Sequence, residues 1–121
     1  MNARTAVERV IEHPAADAVT LQAVLEALAD PVRRSIVRQL AHSDHDMACG
    51  TFGVKVAPST STHHFNVLRQ AGIIRQHYEG TQKKNALRLA ELEESFPGLL
   101  NGIIAAADRE AREESAAGLR P

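Results

Sequence analysis

The chain is poor in cysteine, because Cys49 is the only one among its 121 residues. A single cysteine cannot form an internal disulfide, so the composition favours a reducing compartment. The sequence also has no apolar run long enough to span a bilayer and no signal-like start. These observations predict a cytoplasmic protein that does not interact with a membrane.

Motifs that carry enzymatic chemistry are missing as well. No glycine-rich phosphate loop is present, and no serine lies in a nucleophile turn. The adjacent glutamate pairs at 93–94 and 113–114 would lie on different faces of a helix, as solvated surface charges do. We therefore expect a protein that is not an enzyme and that needs no cofactor.

Aromatic residues make up only 3 % of the chain, and tryptophan is absent. A core of Leu, Val, Ile and Ala favours small helices, and a chain of this length forms one domain. The formal net charge of −1 gives no indication of a nucleic-acid partner. However, residues 50–90 carry six lysines and arginines against one glutamate, whereas both flanking segments are net acidic. A basic centre of this kind is typical of a DNA-binding module.

The segment 59–72 has the clearest helical pattern. Ser61, Phe65 and Leu68 recur at the spacing of one helix face. Pro58 and Ser59 can start and cap this helix, and Gly72 can end it. The opposite face carries hydrogen-bonding side chains without carboxylates, which suits the major groove of DNA: Ser59, Thr60, Thr62, His63, Asn66 and Gln70. His64 lies beside the apolar seam, and we expect it to be buried and hydrogen-bonded.

The next segment has the alternating period of a β-hairpin. Residues 73–79 and 82–89 are strand-like, and Gly80-Thr81 forms the turn. The tip holds Gln82, Lys83 and Lys84, which can reach a phosphate or a minor groove. A helix followed by a basic hairpin predicts a winged helix.

Further helices are expected on both sides of this unit. Thr20 caps one that runs to Ala29, with Val24, Leu25 and Leu28 inward, and Asp30-Pro31 starts another that reaches His42. Ile36, Val37 and Leu40 form the buried stripe of this second helix. Residues 50–56 should be a short positioning helix, although Gly53 and β-branched residues weaken it. A short acidic helix at 90–96 should break at Pro97-Gly98.

The two ends of the chain complete the predicted organisation. Residues 1–19 read as a partly ordered N-terminal arm, 20–115 as the domain and 116–121 as a frayed tail. The last helix carries an apolar stripe after Gly98 that needs a partner, either within its own domain or in a second subunit.

Three segments of the sequence, taken together, resemble an ArsR/SmtB-type winged helix-turn-helix regulator, and the resemblance covers about residues 20 to 105. They are the run Leu28-Ala-Asp-Pro-Val-Arg-Arg34, the helix 59–72 with His63-His64, and Glu79-Gly80 in the hairpin. The resemblance implies a mainly α fold with one β-hairpin, and a repressor that binds an inverted repeat in double-stranded DNA. It also implies a homodimer formed through the N- and C-terminal helices, with an interface of Val24, Leu28, Leu99, Leu100, Ile103, Ile104 and Ala107.

The predicted DNA interface joins the helix and the hairpin. Thr62 can place its methyl against a thymine methyl, His63 can donate to guanine, and Asn66 can pair with adenine. The resemblance implies that Arg33 supports the helix-turn-helix or touches phosphate, and a surface arginine paired with a carboxylate is the alternative. The full predicted set is Ser59, Thr60, Thr62, His63, Asn66, Arg69, Gln82, Lys83, Lys84 and Arg33.

Two metal sites are familiar in the family, and the chain departs from both. The segment 50–56 lacks the cysteine pair of the first site, and residues 97–121 contain neither His nor Cys for the second. No metal site is therefore predicted. The loop that holds His42, His45 and Cys49 leaves a metal-responsive repressor as one alternative. Cys49 is either a reactive thiol sensor or, more commonly for such a residue, an inert small side chain.

A second alternative belongs to another class of protein. A winged-helix module can dock a protein partner with the same helix face and bind no DNA. The basic hairpin tip distinguishes the two, because only the DNA-binding protein needs it. A small-molecule or metal effector of unknown identity is compatible with the DNA-binding interpretation.

Overall fold

The structure is a computed structural model that describes residues 10–54 and 56–118. Three strands form an antiparallel sheet in the order β1–β3–β2, which confirms the mainly α fold with one β-hairpin. The strands are β1 (Met47–Ala48), β2 (Ile74–Glu79) and β3 (Gln82–Leu87). The α-helices are α1 (Leu21–Leu28), α2 (Pro31–Ala41), α3 (Pro58–Gln70), α4 (Leu89–Ser95) and α5 (Leu99–Gly118).

The first two helices begin where their capping residues predict. Thr20 Oγ1 accepts a hydrogen bond from the Ala23 N–H at 3.1 Å. Asp30 Oδ1 accepts from the N–H groups of Val32 and Arg33 at 2.8 and 3.2 Å, and Pro31 occupies the first helical position. These bonds satisfy backbone donors that have no partner inside a helix.

One side chain of α1 was assigned to the wrong face. Leu25 was expected to point inward, but it is 43 % exposed. The buried residues of α1 are Val24, Ala27 and Leu28. Positions i, i+3 and i+4 share a helix face, whereas position i+1 is turned by about 100° from it. The small side chain of Ala27 therefore lies where α1 meets the core.

The expected helix at 50–56 was wrong. Residues Cys49–Thr51 form one 3₁₀ turn, and the described residues that follow, up to Ala57, are not helical. Gly50 and Gly53 disfavour a helix, and two distant groups hold the segment in its other form. The Gly53 N–H donates to Gln39 Oε1 at 2.9 Å, and the Phe52 ring packs edge-on against Phe65 with centroids 5.1 Å apart. Just before it, the stretch expected to be a polar link contains β1.

Helix α3 begins and ends close to the predicted positions. Its N-cap is Ala57, whose side chain makes no capping bond, so the expected capping role of Ser59 was wrong. Pro58 is the first helical residue, and Gly72 follows the helix with φ of +83°. A Cβ on Gly72 would overlap the Val19 side chain, so glycine is required there by the backbone and by packing. The hairpin then pairs Ile74 with Leu87 and Glu79 with Gln82.

The core lies between the helices and the inner face of the sheet. It contains aliphatic side chains from α1, α2, α3 and α5 together with Phe52, Phe65, Ile73 and Ile74. Helix α5 packs on α2 and extends to Gly118, beyond the expected end near Ser115. Residues 119–121 of the predicted tail lie outside the described residues. Within the part of the chain that the structure describes, no helix is long and apolar enough to cross a bilayer.

The described part of the predicted arm is residues 10–19, and it meets the free edge of β2 at His13. The Gln76 N–H donates to His13 Nε2 at 2.8 Å. Two arginines donate to arm carbonyls: Arg69 Nη1 to Glu12 O at 2.7 Å, and Arg88 Nη1 to Pro14 O at 2.8 Å. The arm therefore covers one backbone donor that an edge strand would otherwise expose. Residues 1–9 of the predicted arm lie outside the described residues.

The two requirements at Gly72 can be separated by substitution. Gly98 also has a positive φ, of +80°, but a Cβ there meets open space. We expect Gly98→Ala to lower the free energy of unfolding by about 1 kcal/mol through backbone strain. Gly72→Ala should lower it by about 3 kcal/mol, because overlap with Val19 adds to the same strain. Urea denaturation measures both values, and equal losses in the two variants would contradict the packing requirement.

The arm contact should make stability depend on pH. Burial, followed by the charges of Arg75, Arg69 and Arg88, lowers the pKa of His13 from its ordinary value of 6.5. His13 is therefore harder to protonate in the folded protein than in the unfolded chain. Its contribution to the free energy of unfolding is complete above pH 6.5 and is lost as the pH falls below that value.

We expect the His13→Gln variant to lack this dependence, because its side-chain carbonyl accepts the same hydrogen bond without titrating. Urea denaturation between about pH 7 and pH 5 compares it with the natural chain. The natural chain should lose more stability over this range, and parallel curves would show that His13 makes no such contribution.

Candidate nucleic-acid interface

The exposed polar face of α3 is where the sequence places the base-reading residues. Ser59, Thr60, Thr62 and His63 are exposed in the structure, and Asn66 is half-buried. All of them lie in the first nine positions of the helix. The inner face carries His64, Phe65 and Leu68, which are buried. The predicted division of α3 into an outer and an inner face therefore agrees with the exposure of its side chains.

The N-terminus of α3 is open to a ligand. An α-helix has no internal partners for its first N–H groups, and these give that end a partial positive charge. No side chain of the described residues caps α3, and its first turn contains no acidic residue. This end of the helix therefore suits an anionic group such as a DNA phosphate.

Thr62 presents its methyl group more than its hydroxyl. The Thr62 Oγ1 donates to the carbonyl of Pro58 one turn earlier, at 3.0 Å. Because this bond uses the hydroxyl proton, the exposed part of the side chain is the methyl group and an acceptor oxygen. This is the arrangement that contact with a thymine methyl requires.

Arg33 links α1 to α3 from the inside. Its Nε donates to Ala27 O at 2.6 Å, and its Nη1 lies 3.2 Å from His64 Nδ1. An arginine only donates, so His64 Nδ1 must accept, and the His64 ring carries its proton on Nε2. Of the two roles considered for Arg33, support of the helix-turn-helix fits this geometry, because no carboxylate pairs with it among the described residues. His64 is buried and hydrogen-bonded, as expected.

The two lysines of the hairpin tip lie on opposite faces of the sheet. Successive side chains alternate along a strand, and the buried Asn85 fixes which face is inner. Lys83 is on the side of Asn85 and borders the same cleft as Thr62 and Asn66. Its Nζ lies 5.6 Å from the centre of the Tyr78 ring, a cation–π distance. Lys84 points the other way, and Gln82 is exposed at the tip.

The basic centre of the sequence does not form one basic surface. Arg69 donates to the arm, at the opposite end of α3 from the exposed N-terminus. Arg75 and the buried Arg88 both pair with Glu91, each at 2.7 Å. These bonds, that to Arg88 first, lower the pKa of Glu91 to about 2. Three of the six basic residues therefore bind protein groups, which the charge count alone cannot reveal.

The candidate metal ligands of the loop are not brought together. His42 Nε2 lies 2.7 Å from Asp108 Oδ2, and His45 Nδ1 lies 2.7 Å from Asp44 Oδ1. Cys49 Sγ accepts a hydrogen bond from Asn85 Nδ2 at 3.2 Å. Between residues 10 and 118, Lys55 excepted, no three metal-ligating side chains of this kind form a group.

The residues predicted for the dimer interface divide into two sets. Val24, Leu28, Leu100 and Ile104 are buried in the core of their own chain, whereas Leu99, Ile103 and Ala107 are half-buried. Two leucines that were not assigned to the interface, Leu21 and Leu25, are 47 % and 43 % exposed on α1. For Leu25 the helical position was the available signal, since it is turned by about 100° from Val24. Leu21 lies three residues before Val24, so helical spacing alone did not indicate its exposure.

Comparison with known proteins agrees with this geometry. A family described as a helix-turn-helix domain matches residues 28–77. The chain is 32 % identical over 82 residues to the uncharacterized HTH-type transcriptional regulator YceK of Bacillus subtilis, covering 66 % of this chain and 82 % of that protein. It is also 32 % identical over 82 residues to the transcriptional repressor SdpR of the same organism, of which it covers 89 %.

A solved structure is similar in fold. The ArsR-like transcriptional regulator from Rhodococcus sp. RHA1 superimposes with a TM-score of 0.55 at 23 % sequence identity, and the match covers 80 % of this chain and 91 % of that one. The winged helix-turn-helix described above is thus shared with a known regulator. The resemblance drawn from the sequence is confirmed: the chain belongs to the helix-turn-helix family of DNA-binding transcription regulators, which are not enzymes, and its fold is that of an ArsR-like regulator.

Proposed function

We propose that the protein is a transcriptional repressor that binds an inverted-repeat operator as a homodimer. The observation that carries this proposal is the exposed polar N-terminal half of α3, which lies next to the face of the hairpin that holds Lys83. The similarity to SdpR, a transcriptional repressor, supports repression as the outcome of binding.

The polar residues of α3 divide into two roles. Ser59 and Thr60, at the uncapped helix start, bind a phosphate with hydroxyl and backbone N–H groups. Thr62, His63 and Asn66 read base edges through methyl contact, hydrogen-bond donation and a bidentate amide pair. Among the described residues none of the side chains of Ser59, Thr60, His63 and Asn66 has an internal hydrogen bond, so binding DNA breaks none there.

The hairpin adds a contact that does not depend on sequence. Lys83 is the tip lysine on the α3 side, so its ammonium group reaches phosphates that flank the bases read by α3. Lys84 projects from the opposite face of the sheet and contributes less. Arg69 and Arg33 support the interface through bonds within the protein, since both already donate to protein groups.

A homodimer places two α3 helices in successive major grooves about 34–36 Å apart. Leu21 and Leu25 of α1, together with the half-buried residues of α5, supply the apolar surface for the second subunit. An exposed leucine pair on a short helix gains about 25 cal/mol for each Å² of apolar surface that a partner covers. The operator of such a dimer has two half-sites related by a two-fold axis.

The contribution of the hairpin is tested with two single substitutions. We expect Lys83→Ala to weaken binding to every duplex and to reduce the slope of log affinity against log salt by about 1, because one phosphate contact is lost. Lys84→Ala is the matched control and should change the slope less. Fluorescence anisotropy with DNA from upstream of the protein's own gene measures both. An equal effect of the two substitutions would contradict the assignment of faces.

Base recognition by α3 is tested by comparing the natural duplex with a second duplex of shuffled sequence. We expect His63→Ala to reduce the preference for the natural duplex by about 1–3 kcal/mol while binding to the shuffled duplex changes little. If the unaltered protein binds neither duplex at low salt, the interpretation as a protein-interaction module replaces this one.

The dimer surface is tested by placing a charge on it. We expect Leu25→Glu to give a monomer in sedimentation analysis and to weaken operator binding, because the two half-sites are no longer bound together. Val10→Glu is the control, since Val10 is 70 % exposed but lies in the arm. A natural chain that sediments as a monomer, or a Leu25→Glu variant that stays a dimer, would rule out this surface.

A further inference from the structure

A cleft of about 350 Å³ lies directly behind the base-reading face of α3. Residues of the 3₁₀ turn and of the described stretch after it, between Cys49 and Val56, form one wall, and α3 and the hairpin form the others. Phe52, Val54 and Phe65 make much of its lining apolar. The volume is at the lower end of the range of small-molecule pockets, about 300–1,000 Å³.

Gln76, one of the residues that line the cleft, has a buried side-chain atom without a partner. Gln76 is only 2 % exposed, and its Oε1 is the one buried side-chain oxygen or nitrogen among the described residues that has no hydrogen bond. A buried acceptor without a donor costs about 1–3 kcal/mol. A bound group that donates to this oxygen would recover that cost.

The identity of the unpaired atom follows from its neighbours. The carbonyl of Met47 can only accept, so the atom of Asn85 that faces it at 3.0 Å must be the donor Nδ2. Asn85 Oδ1 then faces Gln76, and the Gln76 atom at 2.8 Å from it must be Nε2. The remaining atom of the Gln76 amide is therefore the acceptor Oε1.

The Gln76 side chain lies on the cleft side of β2. It bonds to Asn85, whose Nδ2 also donates to Cys49, a residue of the cleft wall. The backbone N–H of Gln76 lies in the plane of the sheet and donates to His13 in the arm, across the free edge of β2. The lining of the cleft thus combines apolar side chains with Gln76 and Lys83.

We propose that this cleft binds a small, uncharged, mostly apolar molecule that carries one hydroxyl group, of the class of monocyclic phenols. The ring packs against Phe52, Val54 and Phe65. The hydroxyl donates to Gln76 Oε1, and its oxygen can accept from Lys83. A donor group is required because the unpaired protein atom is an acceptor.

Occupancy of the cleft should oppose DNA binding, and this part rests on the proposed function. Thr62, Asn66 and Lys83 border the cleft and also belong to the proposed DNA interface. A ligand that engages these side chains from behind competes for the positions they take on DNA. The coupling is reciprocal, so DNA must weaken the ligand by the same factor.

Ligand binding is tested first without DNA. The probe is p-cresol, and the control is toluene, which lacks only the hydroxyl group. Titrations followed by two-dimensional NMR report which residues respond. We expect p-cresol to shift the signals of Phe52, Phe65 and Gln76 with a dissociation constant below about 1 mM. It should bind at least about fivefold more tightly than toluene, because only p-cresol satisfies the buried acceptor. Equal affinities, or no saturable shifts, would overturn the proposal.

Two substitutions locate the site. Gln76→Leu removes the acceptor and should bring the p-cresol and toluene affinities close together. Ser61→Leu, which fills the cleft from the inner side of α3, should weaken both probes about tenfold or more. Ser95→Leu makes the same chemical change on an exposed position of α4 and should change neither affinity. Circular dichroism confirms that each variant is folded. If Ser61→Leu binds normally while folded, the cleft is not the site.

Cys49 gives an independent measure of occupancy, because it is the only thiol and lines the cleft. Bound p-cresol should slow its alkylation by iodoacetamide, and toluene at the same concentration should slow it less. The same protection of Cys49 from alkylation can be measured in the Gln76→Leu variant, once circular dichroism has shown that it is folded. An unchanged alkylation rate at a p-cresol concentration that saturates the NMR shifts would place the ligand elsewhere.

The DNA measurement separates this proposal from the proposed function. Saturating p-cresol should lower the affinity for the operator duplex about fivefold or more in the natural chain, and not in Ser61→Leu. If the protein binds p-cresol but no DNA, the proposed ligand site stands and the proposed repressor function is wrong. If it binds DNA but no p-cresol, the repressor function stands and the proposed ligand site is wrong.

Discussion

The placement of α3 depends on one arginine. Arg33 donates to the carbonyl of Ala27 at the end of α1 and to His64 on the inner face of α3, so it joins three helices through a single side chain that begins in α2. A charged donor of this kind contributes about 1.5–3 kcal/mol for each hydrogen bond. The carbonyl groups that it satisfies have no partner inside α1. Because α3 is held from behind, its outer face can keep short polar side chains that make no internal bonds.

Several basic side chains of the central segment, residues 50–90, bind groups of the protein itself and stabilise the fold. Arg88 is buried and binds both Glu91 and the arm, while Arg75 shares the same carboxylate. Removing the Glu91 carboxylate would leave the buried charge of Arg88 without its partner, which is strongly destabilising. The salt dependence of DNA binding therefore reports fewer phosphate contacts than the charge of the segment suggests, since each contact contributes about 0.9 to the slope. Lys83 remains the described hairpin cation that faces the same side as α3.

The sequence predicted the features that depend on neighbours along the chain. The caps at Thr20 and Asp30, the left-handed Gly72 and the hairpin turn all follow from local chemistry, and so does the division of α3 into two faces. The failures depend on distant groups. The segment 50–56 is held by Gln39 and Phe65, and the pairing of Arg75 with Glu91 joins a strand to a helix. Alternation along β3 places Lys83 and Lys84 on opposite faces, but only the burial of Asn85 shows which of the two faces the cleft.

The mistaken helix and the proposed binding site have one cause. A regular helix over residues 50–56 would pack its side chains against α3, ridges into grooves. The two glycines prevent this, and Phe52 alone packs on Phe65 while Gly53 is held away by Gln39. The space beside α3 is the cleft, and it is lined by Gln76, whose buried side-chain oxygen is unpaired. Places where local rules fail in a folded protein are often functional. Here the failure leaves space, an acceptor and a route to the base-reading side chains in the same position, which is what a ligand needs in order to control DNA binding from inside the domain.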